Sequence, residues 1–528
     1  MSAKQRYDKL TSDRSQFLDV AKEASRLTLP YLVKGEDEYS SGARVLRTPW
    51  QSVGAKAVVT LASKLMLALL PTQGSWFKLQ LDEASVKENF PPEVRSELDL
   101  SFSKIERMVN ESIAASSDRV VVHQALKHLV VAGNALIFMG KEGLKLYPIN
   151  RYAVERDGNG NIIEIVTKER VNRDLLTGLI PERQPNSVSA QTGVGDNEVN
   201  IYTHVKRVGA TMIWHQEVDD VILPKSTGKA PIDSTPWLVL RMNYVDGEVY
   251  GRGRVEEFLG DLKSLEALSQ ALVEGSAAAA KVIFTVNPSS TTKPATLERA
   301  SNGAIVTGRP DDIGVVQVGK TADFKTAYEM MLQLEKRISD GFLIMQVRNS
   351  ERTTAEEVRM TQMELEAQLG GLFSMLTVEF LVPYLNRKMS VFQKTGEIPK
   401  IPKGIVKPTI VAGLNALGRG QDAEQLTMFI TTLAQTMGPE AIAQFISQDE
   451  YIKRLAASQG IDYLGLIKSQ EQIQGEMQQQ QQQAQQMELT KQASKISELG
   501  MQQQQIQDGQ NETNPNPEGQ AAAAANSG

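Results

Sequence analysis

Apolar residues recur every three or four positions over much of the chain, and shorter alternating runs lie between these stretches. From Tyr7 to Leu27 the apolar positions keep near-helical spacing, and Leu29–Pro30 ends the run. A second helix is predicted to begin at Thr48–Pro49, because threonine caps helices and proline suits their first turn, and to end before Pro71. The pattern therefore predicts two successive helices.

Alternating and helical runs then follow one another up to residue 252. Trp76–Leu81 alternates like a strand, whereas Glu93–Ser116 and Ala125–Ala132 return to helical spacing. Further strands are predicted at Ala135–Met139, Leu144–Ile149, Ile162–Lys168, 199–206, 211–218 and Trp237–Met242. The stretch 172–198 is polar and rich in Pro, Gly, Ser and Gln, which is typical of a loop or an insertion. This half of the chain is predicted to be α+β.

Beyond Gly253 the pattern becomes mainly helical. Apolar residues repeat at helical spacing from Val255 to Leu272, and a helix is predicted again over 322–343. Between these helices, residues 287–320 contain prolines, serines and two short β-like runs. The pattern predicts two helices joined by a β-containing excursion.

A polar interruption, Gln346–Arg352, separates this pair from a long helix predicted from Ala355 to Val382. At ~1.5 Å per residue that helix would be about 42 Å long. Gly370–Gly371 and Pro383 are expected to bend it. After a proline-spaced linker, a helical segment is predicted over 421–466, and a glutamine-rich tail with a disordered end follows it.

Composition excludes several classes of chemistry. The 528 residues contain no cysteine, which excludes disulfides, thiolate zinc sites, iron–sulfur clusters and cysteine nucleophiles. Structural or surface roles are expected for the four histidines, which are His123, His128, His204 and His215. No apolar run is long enough to span a membrane, and the N-terminal residues lack a signal-peptide core, so a cytoplasmic chain is expected. A net charge of −6 limits any DNA contact to local sites.

Residues Gly314–Thr321 match the phosphate-loop pattern of nucleotide hydrolases. Such a loop follows a buried strand and folds into a flexible turn whose amides surround phosphate. Here the intervening residues are mostly strand formers, and Asp311–Asp312 occupies the place of the buried strand. We interpret the match as a chance one, and a nucleotide-binding enzyme remains the minor alternative.

Charged residues offer no better catalytic site. The paired carboxylates are neighbours in sequence, whereas a two-metal nuclease needs carboxylates that converge from separate elements. The pairs are Asp219–Asp220, Glu256–Glu257, Asp311–Asp312 and Glu356–Glu357. A cationic cluster, Arg348, Arg352 and Arg359, lies near the break between the long helices. It is either part of a surface loop or, if many copies surround an anionic molecule, a contact for that molecule.

Nine sequence blocks between residues 48 and 422 keep a specific order and spacing. They are Thr48–Lys56, Leu61–Leu69, Ala125–Asn134, Tyr250–Gly253, Glu256–Leu262, Val306–Pro310, Thr354–Glu357, Leu369–Gly371 and Gly418–Asp422. Together they resemble the head-to-tail connector, or portal protein, family of short-tailed double-stranded-DNA bacteriophages. The phosphate-loop match and the glutamine-rich tail lie outside these blocks.

The resemblance implies a mainly helical α+β portal fold that assembles into a ring, usually of twelve subunits, with a central channel. Its chain order assigns an N-terminal region and wing to 1–252, stem helices to 253–282 and 322–343, a clip to 283–321, a tunnel loop to 344–354, a long wing helix and linker to 355–420, a crown to 421–470 and a partly disordered tail to 471–528. Arg348, Asn349, Arg352 and Arg359 then become candidates for a constriction of the DNA channel.

The implied function is non-enzymatic and needs no cofactor. The ring would stand at one capsid vertex of the virion after assembly in the host cytoplasm, nucleate head assembly, and conduct DNA during packaging and ejection. The implied partners are double-stranded DNA, the terminase, the major capsid protein, the scaffold protein, the tail adaptor and internal core proteins at the crown. Twelve copies would carry about −72, which favours a repulsive, low-friction channel wall. The alternative is an oligomeric scaffold without a DNA channel.

Overall fold

The computed structural model describes residues 1–34, 47–71, 76–81, 92–176, 198–279, 283–289, 293–301, 321–344, 370–399, 406–410 and 419–438, with isolated positions between 303 and 316 and beyond 445. The chain forms two units, Met1–Gly418 and Arg419–Gly528. Helical residues outnumber strand residues in the described part, which confirms the α+β, mainly helical prediction.

Most helices lie where the apolar spacing predicts them. They are α1 (Ala3–Leu27), α2 (Val53–Leu69), α3 (Pro92–Ala115), α4 (Asp118–Ala132), α5 (Arg254–Glu257), α6 (Leu259–Ala279), α7 (Pro294–Glu298), α8 (Thr321–Gly341), α9 (Val382–Thr395) and α10 (Arg419–Met437). A π-helical turn, Thr377–Leu381, leads directly into α9. No described helix combines the length and apolar content that crossing a bilayer requires.

The described strands form four antiparallel sheets. They are β1 (Phe77–Leu81), β2 (Asn134–Met139), β3 (Leu144–Pro148), β4 (Tyr152–Arg156), β5 (Ile162–Asn172), β6 (Glu198–Val208), β7 (Thr211–Val218), β8 (Val221–Ile222), β9 (Gly228–Pro231), β10 (Trp237–Arg241), β11 (Ile283–Val286), β12 (Ile313–Val316) and β13 (Val406–Ile410). The orders are β1-β13, β10-β2-β3, β11-β12 and β4-β5-β6-β7-β8, and β9 also pairs with β7. Strand β4 was not predicted, because its first three residues are all buried and do not alternate.

The predicted start of α2 is wrong. The helix begins at Val53 rather than at Thr48–Pro49. The Trp50 amide donates to the Glu266 carboxylate of α6 at 3.0 Å. The Gln51 side chain donates to the Leu27 carbonyl at 2.6 Å and accepts the Gly54 amide at 2.8 Å. These bonds satisfy the amides of Trp50 and Gly54 and the carbonyl of Leu27 before the helix starts. Gln51 therefore caps the helix in place of the expected threonine.

The main core lies where α2, α4 and the β10-β2-β3 sheet meet. Helix α4 is buried all round from Ala125 to Ala132, and the Phe138 ring of β2 stacks on Trp237 of β10 at 4.3 Å. Leu262 of α6 and Tyr384 of α9 belong to the same cluster. The core therefore holds both α6 and α9 in place.

Helix α1 packs on the six-stranded sheet through a partly buried ion network. Arg6 Nε donates to Glu164 of β5 at 2.7 Å, and Arg6 also pairs with Glu155 of β4. His204 of β6 contacts the other carboxylate oxygen of Glu164. Burial raises the pKa of Glu164, but the hydrogen bonds from Arg6 and His204 outweigh burial and lower it. Arg6 thus attaches α1 to β4 and β5, and His204 of β6 contacts the Glu164 carboxylate.

Lowering the pH from 7 to 5 is expected to destabilise the fold through His128, which is buried in α4. Burial, with a smaller effect of Lys127, lowers the pKa of His128 from 6.5 to about 4. Between these values the unfolded chain binds a proton that the folded chain does not, so stability falls by about 2 kcal/mol. Urea midpoints at the two pH values measure the loss, and His128→Gln should remove it. An unchanged loss in that variant would contradict the assignment.

Candidate functional site

The four residues that the sequence predicts at a constriction, Arg348, Asn349, Arg352 and Arg359, lie outside the described residues. The structure does describe both ends of the segment that carries them, at Ile344 after α8 and at Gly370. The candidate site is therefore built from the elements that hold these two ends.

Helix α8 ends in a turn that redirects the chain at Leu343. The Ile344 amide donates to the Ser339 carbonyl at 2.8 Å, and the Leu343 amide donates to the Asp340 carbonyl at 3.1 Å. This pair of bonds is the Schellman arrangement, which needs a left-handed residue at the C′ position. Leu343 takes that position at φ 58°, a conformation that side chains other than glycine disfavour.

Two cations from other helices bind carbonyls at this end of α8. Lys64 Nζ of α2 donates to the Leu343 carbonyl, and Arg254 Nη2 of α5 donates to the Gly341 carbonyl at 3.2 Å. Carbonyls at a helix C-terminus carry partial negative charge and lack donors within the helix, so cations stabilise them. Burial lowers the pKa of Lys64, and no carboxylate of the described residues pairs with it.

Aromatic packing holds the same end of α8 against α5 and α6. A Cβ on Gly341 would lie 2.2 Å from the Phe258 ring, so only glycine permits this approach. The rings of Phe258 and Phe342 lie 5.2 Å apart, and the Arg254 guanidinium lies 5.2 Å from the centre of the Phe258 ring. The chain therefore leaves α8 from a closely packed base.

Helices α6 and α8 form an antiparallel pair with an uncovered side. The Phe324 ring packs where a Cβ on Gly275 would lie, 2.6 Å away, and at the other end Arg337 pairs with Asp261 at 2.9 Å. Four large apolar side chains of this pair are exposed. These are Val273 (53%), Tyr328 (52%), Met330 (52%) and Leu332 (45%). Among the residues that the structure describes, these side chains have no apolar cover.

On the returning side, the π-helical turn is clamped to β10. Glu379 accepts hydrogen bonds from Arg241 Nε at 2.9 Å, from Arg241 Nη2 at 2.6 Å and from the Arg241 amide at 2.8 Å. The turn occurs next to Pro383, whose ring crowds the carbonyl of residue 379 in a regular helix. The helix is thus irregular beside Pro383, and the bend predicted there stays a prediction.

Helix α9 is attached to α4 by a buried carboxylate. Tyr384 donates to Asp118 Oδ2 at 2.6 Å, and Lys388 Nζ lies 2.8 Å from the same oxygen. Burial raises the pKa of Tyr384, and the Asp118 charge raises it further. The phenol therefore stays protonated and acts as a donor.

A cavity of about 350 Å³ lies between the two ends of the 345–369 segment. Gly341, Leu343 and Arg254 line it on the side of α8, and Leu372 and Met375 line it on the returning side. The two ends of the segment are therefore neighbours in space.

The phosphate-loop match does not form a loop over the part that the structure describes. Gly314 lies in β12, where it pairs with Thr285 of β11 and accepts its hydroxyl at 3.1 Å. A residue in a strand ladder cannot turn its amide towards a phosphate, so the interpretation of a chance match is supported. Residues 317–320 lie outside the described part.

The histidines and carboxylate pairs form no metal site among the described residues. His204 and His215 face each other across β6 and β7, but each contacts a carboxylate, Glu164 and Glu217 respectively. His123 lies 3.3 Å from the Ser63 hydroxyl. Of the carboxylate pairs, Asp219–Asp220 forms the expected turn with positive φ, Glu256 and Glu257 pair with arginines, and Glu356–Glu357 lies outside the described residues.

Two sequence blocks that are far apart in the chain meet at the end of α4. Gly133 has φ 72° and lies against the backbone of residues 251–253. Asn134 Nδ2 donates to the Gly251 carbonyl at 2.6 Å, and the Gly251 amide donates to Asn134 Oδ1 at 2.8 Å. The glycines in both blocks are required because backbones touch there.

The sequence analysis did not identify Lys64, Arg254, Arg241 or Glu379 as residues of this region. A signal existed for three of them, because Lys64 is the only charged residue in 57–71, Arg241 the only one in 234–245 and Glu379 the only one in 367–386. A charged group within such an apolar stretch needs a polar or charged partner. Arg254 lies among other charged residues, and the partners of all four are distant in sequence.

The chain matches a family described as bacteriophage head to tail connecting protein over residues 1–467. It is 39% identical over 489 residues to the portal protein of Enterobacteria phage T3 and 37% identical over 490 residues to that of Escherichia phage T7. Each of these matches covers 90% of both chains. It is also 30% identical over 493 residues to the portal protein of Enterobacteria phage SP6, covering 90% of this chain and 91% of the relative.

Among solved structures, the chain is similar to the neck of an empty gene transfer agent particle. That likeness has 13% identity and a TM-score of 0.38, over 78% of this chain and 90% of the other. Values this low support no argument about fold or function.

Proposed function

This chain belongs to the family of bacteriophage head-to-tail connecting proteins, and from that membership we propose that it forms a ring, twelvefold in the virion, around a channel for double-stranded DNA. It is a portal protein of the T7-like type, a structural and non-enzymatic component of the virion that connects head and tail. Capsid and tail are therefore its partners. The observation that carries the proposal is the family match over residues 1–467.

In the proposed ring, α5 and α6 form one stem helix and α8 forms the other. The excursion between them, which contains β11, α7 and β12, is the clip. The exposed apolar residues of this pair support the proposal, because contacts between neighbouring copies would bury them. They are Val273, Tyr328, Met330 and Leu332. The wing precedes the first stem helix, and the long helix, crown and tail follow the second.

The channel wall is proposed to be repulsive except at one constriction. Helices α6 and α8 together carry seven acidic and four basic residues, which supports weak contact with a polyanion. Arg348, Asn349, Arg352 and Arg359 would supply the constriction, through phosphate contacts that depend on salt and not on base sequence.

Several partners follow from this arrangement. The clip would dock the terminase during packaging and the tail adaptor afterwards. The wing would contact the major capsid protein and the scaffold protein, and the crown would face internal core proteins. The clip would therefore use one surface for two partners in succession.

Negative-stain imaging and mass measurement of the purified full-length protein test the proposal. A ring with an axial hole is expected. A monomer at all concentrations would overturn the proposal, and an oligomer without a hole would favour the alternative of a scaffold protein.

Replacing Arg348 and Arg352 with alanine is expected to reduce DNA retention in filled particles while rings still form. The reason is that each ring would lose its cationic contacts to phosphate at the constriction. Encapsidated DNA per particle, measured by nuclease protection at several salt concentrations, gives the result. Lys4→Ala with Lys9→Ala, which removes two cations from α1, is the matched control. Normal retention by the Arg348 and Arg352 variant would remove these residues from the constriction.

A further inference from the structure

We propose that Lys64 and Arg254 are positioning residues that set the direction in which the chain leaves α8. The two side chains come from different helices, α2 and α5, and bind the carbonyls of Leu343 and Gly341. Their importance for the channel rests on the proposed function, since the segment after Ile344 is the one assigned to the constriction.

Leu343 adopts a left-handed backbone conformation. Schellman turns normally place glycine at this position, because a side chain in the left-handed region clashes with its own backbone. Here a leucine occupies it at φ 58°. An external interaction that favours this one orientation of the peptide offsets the cost, and the Lys64 ammonium bound to the Leu343 carbonyl is such an interaction.

Lys64 lies in apolar surroundings. It is the single charged residue in the apolar stretch 57–71, and its pKa is lowered by burial. A partly buried amine loses part of its hydration, and an acceptor compensates that loss. The acceptor here is the carbonyl at which the chain turns, so the compensation is specific to one backbone orientation.

Arg254 binds a carbonyl two residues earlier on the same helix end. Its guanidinium lies over the Phe258 ring, pairs with Glu257 and donates to the Gly341 carbonyl. Because α5 leads directly into α6, this contact ties the end of α8 to the base of its partner helix.

The packing around the turn leaves room for these two bonds to matter. A cavity of about 350 Å³ lies beside Leu343, so the turn is not closely packed on that side. The bonds from Lys64 and Arg254 to the carbonyls of Leu343 and Gly341 therefore contribute more to the direction in which the chain leaves α8.

Hydrogen exchange measured by mass spectrometry on the full-length protein tests the proposal. In Lys64→Met, a peptide covering residues 338–344 is expected to exchange about tenfold faster, the change that loss of one hydrogen bond to a charged group brings. Peptides from β2 and β10 should be unchanged. Lys56→Met, an exposed lysine two turns earlier on α2, is the matched control and should leave all peptides unchanged.

A second substitution separates positioning from general loosening of the core. Leu343→Gly lowers the cost of the left-handed conformation, so in the Lys64→Met background it should restore most of the protection of residues 338–344. Faster exchange in β2 and β10 as well, without rescue by Leu343→Gly, would overturn the proposal. So would unchanged exchange in Lys64→Met. Should that variant fail to fold, Arg254→Met is expected to give the same local increase.

DNA retention then links the turn to the channel. Rings of Lys64→Met are expected to assemble and to retain less DNA than Lys56→Met rings. If Arg348 and Arg352 prove dispensable for retention, the proposed constriction fails, whereas the exchange result still decides whether Lys64 positions the chain.

Discussion

Replacing Gly133 with alanine is expected to prevent accumulation of folded protein. Gly133 ends α4 in the left-handed region, and an added Cβ would lie 2.4 Å from the Arg252 carbonyl carbon, 2.5 Å from the Gly251 oxygen and 2.6 Å from the Gly253 nitrogen. All three are backbone atoms, which cannot rotate away as a side chain can. Substitutions with unrelieved core clashes cost more than about 4 kcal/mol, a large share of the stability of a domain. Soluble yield and the urea midpoint measure the effect.

Gly209→Ala is the matched control. Gly209 has φ 59° in the turn between β6 and β7, but no atom lies within 4 Å of the added Cβ. Only backbone strain remains, so a loss of about 1 kcal/mol is expected. If Gly133→Ala accumulates and unfolds like Gly209→Ala, the close approach of the two blocks is not required for folding.

Replacing Glu379 with alanine is expected to destabilise the fold by about 3–5 kcal/mol, the usual cost of leaving a buried charge without its partner. Glu379 accepts three hydrogen bonds from Arg241, and Arg156 lies 3.9 Å from the same carboxylate. Burial lowers the pKa of Arg156, with Glu379 opposing the effect, so removal of the carboxylate leaves two buried guanidinium groups uncompensated. The shift of the urea midpoint, at constant m-value, measures the loss.

Val378→Ala provides the control in the same π turn, because Val378 is 70% exposed and should cost little. The pair Glu379→Ala with Arg241→Met removes both charges and should recover part of the loss. A cost for Glu379→Ala below about 1 kcal/mol would mean that water reaches Arg241 and that the clamp is weak.

Local periodicity predicted α3 and α8 to within two residues at each end, and it predicted the existence of α1 and α6 with less exact bounds. The repeat of apolar positions follows directly from which face of a helix is buried. Periodicity failed at α2, where Gln51 and Glu266 replace the expected threonine cap. It also missed β4, since a strand buried on both faces has no alternation. The first error arises because distant residues satisfy the local backbone, and the second because burial on both faces removes the alternating pattern.

The candidate site was predictable only in part. The break between two long helices marked the segment that carries Arg348 and Arg352, and the ends of that segment are held by α8 and the π turn. The residues that hold those ends were not predicted. Lys64 acts on a carbonyl 279 positions away, and Arg241 acts on a carboxylate 138 positions away.

The sequence by itself determined the α+β class, the two helices around a β-containing excursion, the lack of a cysteine-based site and the family. Those properties depend on composition, on the spacing of residues and on the order of the blocks, all of which are present in the linear sequence. Only the tertiary structure decided why Gly133 and Gly251 stand in their blocks, how Leu343 is held and which arginine clamps Glu379. Each of these depends on the approach of groups separated by more than a hundred residues, and that approach is fixed by packing of the whole core rather than by any local pattern.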